Sequence, residues 1–171
     1  MYLLSDLEAI ADAPRRTITW WTEQSVLLPE EGSNRAGRGT HRQYSAAEVI
    51  VACVMRAVSQ DHVLPIGRML TISRAVRNWT KNEGVRKTIN LAIFGSANLF
   101  LIVETGDERG LARIVFFPVP STLDVEEKTK AEKDLYHYTL DNLIQNNSRA
   151  NCVKTIVFLN PWLSRVREPL Q

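Results

Sequence analysis

Cysteine is scarce here: Cys53 and Cys152 are the two in a chain of 171 residues. They lie far apart, each within an apolar run, and no C-x-x-C pair exists. That usage excludes a disulfide framework and leaves buried thiols in a reducing compartment as the expectation. Histidine is no richer, and His41, His62 and His137 share no spacing that would gather them on a zinc ion. A run of roughly 18 apolar residues, the length a membrane helix needs, is absent. The opening Met1-Tyr2-Leu3-Leu4-Ser5-Asp6 has neither the basic segment nor the apolar core of a secretory leader, so a soluble, cytoplasmic chain is expected. Also missing are G-x-G-x-x-G, G-x-S-x-G and H-E-x-x-H. The carboxylate run Asp124-Val125-Glu126-Glu127 falls where a helix is expected to begin, and a helix N-terminus favours acids without any catalytic purpose. The sequence points to no catalytic residue, no metal and no cofactor.

What is present is charge, unevenly placed. The formal net charge of +2, with 44% hydrophobic and 23% charged residues, is ordinary for a globular protein. Divided along the chain, however, residues 1–31 carry −4, residues 32–90 carry +7 and residues 91–171 carry −1. A basic middle between acidic ends is the asymmetry expected if one face meets a polyanion. A merely solvated basic surface would have the same composition.

Ser5-Asp6-Leu7-Glu8 has the form of a capping box, which predicts a helix start at that point. Leu4, Leu7, Ile10 and Ala11 recur at helical spacing for about two turns before Asp12-Ala13-Pro14 ends the pattern. Asp12 tolerates a left-handed backbone and Pro14 suits a first helical position, so a second helix is predicted from Pro14 to about Gln24 with Ile18 and Trp21 inward. Two short helices joined this tightly have the geometry of a helix-turn-helix, a pattern that many small helical proteins share. Glycine and small polar residues follow, and between Gly32 and Tyr44 stand Arg35, Arg38 and Arg42 with no acid. That is a hairpin presenting three guanidiniums, the composition of a wing laid on phosphates.

A second capping box, Ser45-Ala46-Ala47-Glu48, opens a helix whose Val49, Ile50, Cys53, Val54, Ala57 and Val58 make it core. Another helix is predicted from Pro65, with Ile66, Met69, Leu70 and Ser73 inward and Arg68, Arg74, Arg77 and Lys81 on its other side. After Asn90 the texture becomes short β-rich runs: strands over 98–104, 111–119 and 152–159, with a helix over about 125–145. The fold class expected is therefore α+β, an N-terminal helical winged helix-turn-helix domain over 1–80 followed by a small β-β-α-β C-terminal domain over 91–171.

Taken in order, the first segments resemble the N-terminal domain of the MerR family, the mercury-resistance-regulator type of bacterial transcription factor, over residues 2–75. The family's T-I-R-Y-Y-E-E-x-G-L-L-x-P corresponds without a gap to Thr17-Ile18-Thr19-Trp20-Trp21-Thr22-Glu23-Gln24-Ser25-Val26-Leu27-Leu28-Pro29. Its wing ending, Y-R-x-Y-S, corresponds to His41-Arg42-Gln43-Tyr44-Ser45. Three departures stand out: Thr19 replaces an arginine, and Asp12 and Ser25 replace glycines. The resemblance implies double-stranded DNA as partner and a DNA-binding set of Arg15, Arg16, Thr17, Thr19, Trp20, Arg35, Arg38, Arg42 and Tyr44. Without the arginine at Thr19, affinity would rest more on Arg15, Arg16 and the wing. Trp21, at i+3 from Ile18, belongs to the core, and Trp20 is either a backbone contact or core.

The function expected is sequence-specific DNA binding by a transcriptional regulator, with RNA polymerase as a further partner and no membrane. Family members continue into a long dimerising helix, but here helical spacing breaks near Asn82-Glu83-Gly84. Residues 91–171 would then supply the homodimer contact, through faces rich in Leu99, Phe100, Phe116, Tyr136 and Leu140, or hold a small-molecule effector of unknown identity. Two alternatives keep the fold: an excisionase-like architectural DNA binder, and a protein-interaction module whose helix-turn-helix has lost its DNA.

Overall fold

The computed structural model describes residues 1–33, 41–59, 64–94, 97–105, 112–120, 153–166 and 170. Helix α1 (Leu4–Ala11) begins slightly earlier than its capping pattern predicts, because the Asp6 carboxylate accepts the Leu3 N–H at 2.8 Å. Asp6 thus fills the role expected of Glu8. The helix ends at Asp12, whose φ of 52° is left-handed, and Pro14 caps α2 (Arg15–Glu23). Ser25 is left-handed too, at φ 59°. Both positions where this sequence departs from glycine therefore take the backbone that glycine favours.

A two-residue strand β1 (Tyr2–Leu3) pairs antiparallel with β2 (Gln43–Tyr44), tying the start of the chain to the returning leg of the hairpin. Helix α3 (Ala46–Ser59) follows, with Ser45 accepting the Glu48 N–H at 3.3 Å. Val49 through Met55 are all buried, because α1 and segments later in the chain surround it. Each apolar side chain hidden this way stabilises the fold by roughly 1.5–3 kcal/mol. Helix α4 (Ile66–Thr80) buries Met69, Ile72, Ser73 and Val76. Its first residue, Ile66, is exposed, which corrects its predicted inward position. Asn82 accepts the Val85 N–H and starts a helix the periodicity did not predict, α5 (Glu83–Ile93).

Strands β3 (Ala97–Thr105), β4 (Ala112–Pro120) and β5 (Val153–Phe158) form an antiparallel sheet in the order β4-β3-β5, and α6 (Asn160–Leu163) is the last described element. The expected α+β class with a β-β-α-β C-terminal domain is corrected here. Six helices carry most of the regular backbone among the described residues, and no β-β-α-β unit is seen among them. The helix expected at 125–145 lies outside the described residues. Five described side chains of 91–171 pack with the N-terminal helices. Leu99, Leu159, Leu163, Val166 and Leu170 join one buried cluster with Leu7, Trp21, Ile50 and Ile72.

Polar contacts fasten the same junction. Asn90 donates to the Leu170 carbonyl (3.0 Å) and accepts the Leu170 N–H (2.8 Å), and Arg165 reaches the Ala9 carbonyl at 3.3 Å. The predicted dimer residue Leu99 is fully buried in this cluster, so it is core and not a contact for a second chain. Tyr136 and Leu140 lie outside the described residues, and the side chains of Phe100 and Phe116 are not described. Among the described residues no helix is long and apolar enough to cross a membrane.

Candidate nucleic-acid interface

Helix α2 has two unlike faces. Ile18, Trp21 and Thr22 are buried, so the opposite side, Arg15, Arg16, Thr19 and Trp20, is turned outward. Trp20 is 41% exposed while its neighbour Trp21 is 1% exposed, which settles the pair: one indole is core and the other is surface. Thr17 and Thr19 are half-buried. Arg15 lies 3.7 Å from Glu8 with 67% of its side chain exposed, a solvent-screened pair that holds the guanidinium only loosely. Arg16 is exposed.

The hairpin after α2 is closed at its root. The Glu30 N–H donates to the Gln43 carbonyl at 2.7 Å, the Ser33 hydroxyl donates to the Glu30 carbonyl at 2.7 Å, and the Gln43 N–H donates back to Ser33 at 3.2 Å. Gly32, at φ 82°, makes the turn between them. Arg35 and Arg38, predicted at the hairpin tip, lie outside the described residues. The returning leg brings back His41, which is exposed, and Arg42, which is half-buried. These two meet Arg15 and the first turn of α1, through Leu3, Leu4 and Ser5, around a cleft of about 350 Å³. Two guanidiniums and an imidazole thus border one recess beside a helix N-terminus that Asp6 already caps, and these cations favour an anion there.

Tyr44 is not part of that surface. It is fully buried, and its hydroxyl lies 2.9 Å from that of Thr22. The implied DNA contact at Tyr44 is therefore corrected: the ring is core, and its hydroxyl ties the wing's returning leg to α2.

A polar joint absent from the sequence reading lies behind this face. The Glu48 carboxylate, 6% exposed, accepts the Leu28 N–H at 2.8 Å and the Arg77 Nη2–H at 2.9 Å, with the Arg77 Nε–H on its other oxygen. Arg77 also donates to the Val26 carbonyl and to the Ser73 hydroxyl. The expectation that Arg77 lies on the outer side of its helix is corrected, whereas Arg74 and Lys81 are exposed as predicted. Glu48 reads as a capping-box acid, yet it turns away from Ser45 toward Arg77. The available signal was an acid beside the apolar run Val49–Met55, which needs a partner if it is buried with that run.

Cys53 is fully buried, and desolvation pushes its thiol from 9.0 up to about 12 in spite of the nearby Arg165 charge. Such a thiol is inert at neutral pH. Among the described residues no group of three or more His, Cys, Asp and Glu side chains is placed to hold a metal ion. No protein-family model matches the chain, and no curated protein matches it significantly.

Proposed function

We propose that this protein is a cytoplasmic, double-stranded DNA-binding regulator that works in the manner of the MerR family's N-terminal domain. The carrying observation is the cleft that joins Arg15 on α2 to His41 and Arg42 at the wing root. In this reading the outward face of α2, with Arg16, Thr17, Thr19 and Trp20, lies in the major groove. Arg15, Arg42 and the wing lie on the flanking phosphates, which orient the protein without reading sequence. Thr17 and Thr19 carry base preference through hydroxyl and methyl contacts. The +7 charge of residues 32–90 supplies the long-range attraction.

One short reading helix spans few base pairs and cannot pick a site out of a genome, so the working unit is a homodimer on two half-sites. Contact with RNA polymerase belongs to the same proposal. The test is a fluorescence-anisotropy titration of labelled duplex at several salt concentrations. Binding should fall steeply, with a log–log slope of about −0.9 per phosphate neutralised. A flat response between low and physiological salt overturns the reading.

A further inference from the structure

The DNA face has two parts, α2 and the wing, and their mutual angle must be held for both to meet one duplex. The chain between them is short. It leaves α2 at Glu23, passes the left-handed Ser25 and reaches the buried Val26 and Leu27 before the wing begins. Tyr44 holds the returning leg through Thr22, and β1 holds it through Tyr2 and Leu3. The outgoing leg is held differently. Its Val26 carbonyl accepts from Arg77 and its Leu28 N–H donates to Glu48, residues of α4 and α3 that already grip one another.

From this we infer that Glu48 and Arg77 are positioning residues for DNA binding: through Val26 and Leu28 they set the disposition of the wing relative to α2. The assignment rests on the proposed DNA interface. Glu48 and Arg77 are 6% and 16% exposed and do not line the cleft of Arg15, His41 and Arg42, so the role assigned to them is indirect. Their chemistry suits the task. A guanidinium has donors enough to serve a carboxylate on one edge and a carbonyl on the other, and its planar fork fixes direction as well as distance. Stability alone is a poor reason to keep such a pair, since buried ion pairs are often replaceable by apolar side chains without loss. An apolar pair would fill the space between α3 and α4, but it would leave the Val26 carbonyl and the Leu28 N–H unheld.

That difference separates positioning from mere support. The double variant Glu48→Leu with Arg77→Met is compared with the natural chain for thermal stability, for amide exchange at Leu28 and for affinity toward duplex DNA. The expected result is a cooperative melt, faster exchange at Leu28, and binding weakened by roughly tenfold, the scale of one charge-assisted hydrogen bond. Undiminished affinity in the folded double variant overturns the assignment. Should that variant not fold, Arg77→Lys takes its place, keeping the charge opposite Glu48 but losing the fork that also reaches Val26. Weaker binding with a cooperative melt then supports positioning, and unchanged binding overturns it. A natural chain that binds no duplex removes the interface reading itself, a result distinguishable because it appears before any substitution is made.

Discussion

The Tyr44 hydroxyl lies 2.9 Å from the Thr22 hydroxyl, and both residues are buried. Thr22 already donates to the Ile18 carbonyl at 2.9 Å, so its oxygen is the acceptor and Tyr44 is the donor. The wing is therefore fastened to the inner side of the very helix whose outer side carries Arg16 and Trp20. Tyr44→Phe removes this bond and nothing from the surface. It is expected to lower stability by about 1 kcal/mol in a urea melt and to leave the salt slope of DNA binding unchanged. A slope smaller by about one unit would return Tyr44 to the phosphates.

Arg15 and Arg42 flank the cleft, so Arg15→Ala and Arg42→Ala should each reduce the log–log salt slope by about one. Both should weaken binding to all duplexes alike. Thr17→Ala should instead change the ranking of sequences in a competition assay. If Arg42→Ala shifted preference and left overall affinity intact, the wing and not α2 would be the reading element.

The adjacent indoles give a sharper contrast. Trp21→Ala empties a core position, at a loss of about 3–5 kcal/mol, a large share of a typical total stability of about 5–15 kcal/mol. Trp20→Ala should move stability by less than about 0.5 kcal/mol while still weakening DNA binding. Equal affinities for Trp20→Ala and the natural chain would leave that exposed ring without a role on DNA.

Burial that raises the Cys53 thiol to about 12 makes stability depend on pH at the alkaline end. The folded value lies above the unfolded one, so this contribution is complete below the unfolded value of 9.0 and declines as pH rises through the interval toward about 12. The stability advantage of the natural chain over Cys53→Ala should narrow over that range. Alkylation followed by peptide mapping should find Cys53 unmodified in the native protein at pH 8 and modified in urea; modification of the native protein at a comparable rate would contradict the burial.

A chain ended after Phe94 loses Leu99, Leu159, Leu163, Val166 and Leu170 from the shared cluster, along with both Asn90 hydrogen bonds. Five aliphatic side chains at roughly 1.5 kcal/mol or more each rival a typical total stability of about 5–15 kcal/mol. The shortened chain should therefore lack a cooperative thermal transition. A sharp melt would show that the N-terminal helices suffice for their own core.

Local rules made much of the proposed DNA face legible. Pro14 and Asp12 bracket the turn between α1 and α2, the i+3 step from Ile18 places Trp21 inside, and the arginines of the wing stand out against a segment without acids. Each of these signals is carried by residues within a few positions of one another, where backbone sterics and helical period act directly. Helix α5 was lost because a break at Asn82 and a restart capped by Asn82 look alike in periodicity; only the Val85 N–H on the asparagine oxygen distinguishes them.

By itself, then, the sequence determined the first helices to within a residue or so at each end, which face of α2 is apolar, and where positive charge gathers. Tertiary structure alone decided that Tyr44 turns inward and that Arg77 crosses to Glu48, partners 29 positions apart. It also decided that Leu99, Leu159, Leu163, Val166 and Leu170 share a core with the N-terminal helices. An apolar run states that it must be covered, because water rejects its surface in every direction. Which element covers it depends on contacts between segments far apart in the chain, and no local pattern records those.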